Sequence, residues 1–67
     1  MKVTLHTDHA GKLMIYVPKK DLEEEVIEQT WIADSCTFTL ANGWELEVTE
    51  LSNPIPTPKT VNAKRLN

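Results

Sequence analysis

Apolar and polar residues alternate along most of this chain. From Lys2 to Thr7, Val3 and Leu5 fall on one side and Lys2, Thr4 and His6 on the other, the period of two that marks a half-buried strand. Lys12 to Val17 repeats the pattern with Leu13, Ile15 and Val17 inward, while Met14 and Tyr16 make its other face partly apolar. A strand apolar on both faces is expected to be central or covered. Between the two lies Asp8-His9-Ala10-Gly11. Pairing Asp8 with Lys12 sets Val3 against Val17 and Leu5 against Ile15, leaving His9-Ala10-Gly11 as a three-residue loop. The third position of such a loop needs left-handed backbone, and Gly11 supplies it.

A second hairpin follows the same logic. Asn42-Gly43 invites a two-residue turn, but that register sets Leu40 against Glu45 and Phe38 against Glu47, mixing core and solvent faces. A three-residue loop Ala41-Asn42-Gly43 pairs Leu40 with Trp44, Phe38 with Leu46 and Cys36 with Val48, so that all the apolar residues share one face. Gly43 is then the left-handed residue of a G1 bulge, and Trp44 the first inward side chain after it. Trp31, Phe38, Trp44 and Leu46 are the expected larger core residues.

Pro18 to Trp31 carries two signals. Lys19 to Glu25 is rich in helix formers, and Leu22, Val26, Ile27, Thr30 and Trp31 share a helical face. Val26-Ile27 and Thr30-Trp31-Ile32 favour a strand instead, so propensity leaves both open. Asp34-Ser35 is the expected turn into the Cys36 to Leu40 strand. Residues 52–59 hold three prolines and form a stiff connector that cannot donate ladder hydrogen bonds there. Thr60 to Leu66 is the expected last strand, with Val61 and Ala63 inward.

Sixty-seven residues make one domain, 1–67, with a thin core. Apolar content of 40% and charged content of 25% are ordinary for a globular chain, and a net charge of −3 is too small to select a polyanion partner. The single cysteine, Cys36, cannot form an internal disulfide, Met1 to Asp8 lacks a signal-peptide apolar region, and no run is long enough to span a bilayer. The expectation is a reduced, cytoplasmic protein without membrane contact.

With strands and turns placed, "MKV" at 1–3, "YVPKKDLEE" at 16–24, "LANGWELE" at 40–47 and "TVNAKRL" at 60–66 resemble the NifT/FixU family of small proteins. The matches are collinear over most of the chain. The resemblance implies a small, partly open β-barrel encoded among genes for nitrogen fixation, with an accessory role in making or maintaining nitrogenase and no assigned catalytic residue or ligand. Members carry a proline after the "DLEE" motif, which favours an extended segment; Glu25 stands there in this chain. We therefore expect a short turn over Lys19 to Glu24 and then a strand. Where the family has a Trp-Gly-Gly-like stretch, this chain has Trp31-Ile32-Ala33-Asp34-Ser35-Cys36, and its approach to the final strand is richer in proline.

Chemistry-bearing residues are few. His6, His9, Asp8 and Cys36 are the candidates for a metal, iron–sulfur or cofactor-intermediate site, but zinc wants four Cys or His ligands and the chain has three such residues. By the strand reading His6 faces outward, His9 sits in a turn and Cys36 points inward, so they do not converge, and a Cys–His nucleophile fails for the same reason. Glu23, Glu24, Glu25 and Glu28 read as a solvated acidic face beside Lys19 and Lys20. Tyr16, Lys19, Lys20, Lys59, Lys64 and Arg65 are the candidates for nucleic-acid contact, yet seven bases face ten acids and no basic cluster is interleaved with exposed aromatics. The proline tract fits an SH3-type ligand in composition but fits a connector better.

The resulting expectation is an all-β, partly open barrel of about six strands built from bulged hairpins, with Gly11, Gly43, Trp31, Phe38, Trp44 and Leu46 as structural residues. Its expected function is non-enzymatic and without a cofactor: protein–protein contact with nitrogenase components or their assembly factors, the alternatives being handling of a metal, an iron–sulfur cluster or a cofactor intermediate, and nucleic-acid binding by a small barrel. Tyr16, Pro18, Lys19, Lys20, Asp21 and Glu24 form the candidate docking surface, since an aromatic, a proline and mixed charges on a loop suit a docking edge; the same residues also fit an ordinary corner between strands.

Overall fold

The computed structural model describes Met1–Asn67. Seven strands follow in order: β1 (Lys2–Thr7), β2 (Leu13–Val17), β3 (Leu22–Ile32), β4 (Ser35–Leu40), β5 (Glu45–Val48), β6 (Lys59–Asn62) and β7 (Lys64–Arg65), with one 3-10 turn, Pro18–Lys20, between β2 and β3. All neighbours are antiparallel, in the spatial order β6-β1-β2-β3-β4-β5-β7. β6 and β7 lie at opposite ends of that order, yet only Ala63 separates them in the chain. The last segment therefore pairs first with β1 and then with β5, joining the two edges into a nearly closed barrel. The single expected final strand is divided in two by this crossing.

Both hairpin registers follow the apolar pattern. Leu5 pairs with Ile15 and Thr7 with Leu13, and Asp8 N–H donates to Lys12 O at 3.0 Å. Cys36 pairs with Val48 and Phe38 with Leu46, and Leu40 N–H donates to Trp44 O at 2.8 Å. Gly11 and Gly43 take φ of 81° and 94°, as the third residues of their loops require.

The ambiguous segment is extended. The turn after β2 closes by Asp21, shorter than the expected Lys19 to Glu24, and β3 then runs for eleven residues. Leu22 to Glu25 pair with β2, whereas Val26 to Ile32 pair with β4, with the register shifting between Val26 and Glu28. Ile27 is the extra residue of this bulge, which bends β3 so that one strand serves both halves of the barrel. The β3–β4 turn falls on Ala33-Asp34, one residue earlier than expected, because Ser35 pairs with Ile32. Ala33 has φ of 54°, so the backbone keeps the left-handed step that a glycine would take there.

Eleven residues are buried and all are apolar: Val3, Leu5, Ile15, Val17, Cys36, Phe38, Leu40, Leu46, Val48, Leu51 and Ala63. Phe38 and Leu46 are core residues as expected. Trp31 and Trp44 are not: they pack against the core from its margin and stay half-buried. Phe38, Leu5, Ile15, Leu40 and Leu46 are the largest fully buried side chains, and the two indoles pack against the cluster they form. Leu51 is buried near the β3–β4 turn, its N–H donating to Asp34 O at 2.8 Å. The following connector contains cis Asn53-Pro54 and Thr57-Pro58 bonds.

Candidate functional site

Pro18 opens the turn after β2 with its φ already set, and Asp21 ends it in left-handed backbone at φ 48°, its N–H donating to Pro18 O at 3.2 Å. Aspartate is among the side chains that tolerate this conformation. Its Oδ1 accepts the Tyr16 hydroxyl proton at 2.9 Å, and this hydrogen bond to a carboxylate holds the phenol above its ordinary pKa of 10.0. Tyr16, Pro18, Lys19, Lys20 and Asp21 thus form one corner, as the sequence reading grouped them. Glu24 does not join them. It pairs with Ile15 on the inner side of β3 and is half-buried, whereas Tyr16 lies on the outer side opposite Thr4 and Glu23.

The corner reaches the second hairpin through its charges. Lys20 Nζ lies 5.9 Å, and the Arg65 guanidinium carbon 3.9 Å, from the Trp44 ring centroid. Beside them Asn67 clamps the hairpin: Glu45 N–H donates to its Oδ1 at 3.0 Å, and its Nδ2 donates to Gly43 O at 2.9 Å. The sequence places Arg65 only among the candidates for nucleic-acid contact and does not single out Asn67, because nothing local ties residues 65–67 to a turn formed by residues 41–43.

On the outer face His6 reaches from β1 across β2 to Glu23 of β3, with Nε2 and Oε2 2.8 Å apart. Thr4 and Thr60 hydroxyls lie 3.2 Å apart on the same side. His9 is exposed in its loop and Cys36 is in the core, where burial raises the thiol above its ordinary 9.0. Asp8 is occupied by its own loop, its Oδ1 accepting from the N–H groups of Ala10 and Lys12, each at 2.9 Å. No three His, Cys, Asp or Glu side chains meet in a group able to hold a metal ion. No cavity opens in the barrel, and no helix is long and apolar enough to cross a membrane.

The order of strands, the two bulged hairpins and the "YVPKKDLEE" corner stand together in one unit. The family model described as NifT/FixU protein matches residues 1–63. The chain belongs to the NifT/FixU family, a family associated with nitrogen fixation. It is 36% identical over 70 residues to the protein FixU homolog of Sinorhizobium fredii (strain NBRC 101917 / NGR234), covering 98% of this chain and 87% of that protein. It is 39% identical over 70 residues to protein MosB of Rhizobium meliloti, covering 98% of this chain. The chain spans only 13% of MosB's length, so that likeness concerns one stretch of a much longer protein. No solved structure matches the chain.

Proposed function

We propose that the protein is a non-enzymatic accessory module of nitrogen fixation that acts by protein–protein contact in nitrogenase biosynthesis or maturation. Membership of the NifT/FixU family over residues 1–63 carries this reading. A core filled by apolar side chains and a surface without a cavity favour contact over turnover of a small substrate. The Tyr16 to Asp21 corner is the proposed docking edge: Lys19 and Lys20 are exposed, while the Tyr16–Asp21 hydrogen bond fixes the backbone that presents them.

The test is an affinity pull-down of tagged protein from cells actively fixing nitrogen, run beside a Lys19→Glu/Lys20→Glu variant. Recovery of a nitrogenase component or assembly factor with the parent and its loss with the variant is the expected result. Recovery of none with the parent rejects the proposal.

A further inference from the structure

β2 has five residues and β3 eleven, so β3 overshoots its neighbour. Its pairing with β2 ends at Met14–Glu25, and from Glu28 to Ile32 it is paired with β4 alone. The side of this stretch that would face β2 is an open sheet edge. Because Ile32 and Ser35 close a two-residue turn, residues 28, 30 and 32 turn their backbone groups toward β4, and by alternation Gln29 and Trp31 turn theirs outward. None of the nine backbone hydrogen bonds outside the ladders involves residues 26–32, so no other backbone pairs with that edge. Elsewhere the continuous β6–β7 segment ties the two ends of the sheet together.

The open stretch is guarded only by Glu28 and by the bulge at Ile27. It contains no lysine and no proline, and it is flanked by Ile27 and Ile32, which are 61% and 73% exposed. Its charge is one-sided as well: β3 carries Glu23, Glu24, Glu25 and Glu28 and no basic residue. Along the free edge itself Glu28 is the one charged residue, and a second copy pairing antiparallel about Thr30 would set it opposite Ile32, leaving the carboxylate without a counter-charge. A basic strand is complementary.

We propose that the free edge of β3 from Glu28 to Ile32 is a strand-addition site for an extended, basic segment of a partner protein. In antiparallel pairing the partner residue opposite Ile32 precedes the one opposite Glu28 by four positions, and both lie on the outer face. The fitting segment therefore has an apolar residue followed at the fourth position by lysine or arginine. Backbone N–H and C=O groups of Gln29 and Trp31 supply the binding, and the side-chain pair supplies the choice of segment. The proposal rests on the reading that the protein acts by contact, but uses a surface separate from the Tyr16 to Asp21 corner.

The probe is a short fluorescein-labelled extended peptide with isoleucine and lysine at that spacing, beside one with glutamate in place of lysine. Fluorescence anisotropy should show saturable binding of the lysine peptide, with slowed amide exchange at Gln29 and Trp31. Gln29→Pro removes an outward N–H without touching the β4 ladder, so it should keep the fold and weaken binding at least about tenfold. Glu28→Lys should shift the preference toward the glutamate peptide by about two- to fivefold, as expected of an exposed charge pair. Absence of binding at millimolar peptide, unchanged exchange at Gln29 and Trp31, or sedimentation showing a homodimer that Gln29→Pro dissolves would each overturn it. Peptide binding with an empty pull-down would remove the nitrogenase reading and keep the edge site; a productive pull-down with no peptide binding would do the reverse.

Discussion

The guanidinium of Arg65 rests 3.9 Å from the centroid of the Trp44 ring, and this contact ties the last strand to the second hairpin at the point where the barrel closes. An exposed cation–π contact is worth about 0.5–1 kcal/mol. Arg65→Gln should lower the stability measured by urea unfolding by about that amount. In Trp44→Leu the same substitution should cost less, because the ring that Arg65 covers is gone; equal losses in both backgrounds would show that the contact contributes nothing.

Two turn positions should respond with opposite sign. Ala33 holds φ at 54°, where a side chain costs about 1–2 kcal/mol and glycine does not. After subtracting glycine's extra freedom in the unfolded chain, Ala33→Gly should stabilise by about 0.5–1 kcal/mol. Gly43→Ala meets no atom within 4 Å of its new Cβ, yet φ is 94°. It should therefore destabilise through backbone strain alone, by about 1–2 kcal/mol. Thermal melts of the two variants give both signs directly.

Cys36 is fully buried and its thiol is pushed up by desolvation. The folded protein favours the neutral thiol, so this contribution is complete below the ordinary value of 9.0 and is lost as pH rises through the folded-state pKa. Stability measured above pH 9 should fall, and Cys36→Ala should fall less. Labelling by a thiol reagent at neutral pH should be no faster than amide exchange at Phe38, since both require the barrel to open. Faster labelling would mean that the thiol is reachable in the closed barrel.

Asp8 behaves in the other direction. Its carboxylate accepts the Lys12 and Ala10 N–H groups, and the Lys12 bond is the main cause of a pKa held below the ordinary 3.8. The ionised form favours the folded loop, so this stability is present above 3.8 and is lost as pH falls through the lower folded-state value. Asp8→Asn should make the acid limb of the stability profile shallower, as read from urea midpoints across the acid range.

The parts of the fold that follow from neighbours in the chain were legible. Leu5 against Ile15 and Phe38 against Leu46 can be paired on paper, because each hairpin has only one register that keeps its apolar residues together. Ile27 was harder, since Val26-Ile27 fits a helix face, a strand face and a bulge, and only the competing demands of β2 and β4 decide between them. The margin positions of Trp31 and Trp44 depend on interior volume, which no local pattern reports. At the candidate corner, Tyr16 to Asp21 came together because a proline turn is local; Glu24 parted from them because strand alternation resumed at Leu22 and placed it on the other side.

Ala63 is the place where one segment leaves β1 and joins β5, and its N–H bonds to Met1 O at 2.7 Å while the Met1 amino group donates to its carbonyl at 2.7 Å. These partners stand 62 positions apart in the chain. Until the segment around Ala63 docks, β1 and β5 are two raw edges that the finished hairpins cannot close by themselves. Barrel closure is thus a long-range step whose timing the stability of either hairpin does not set.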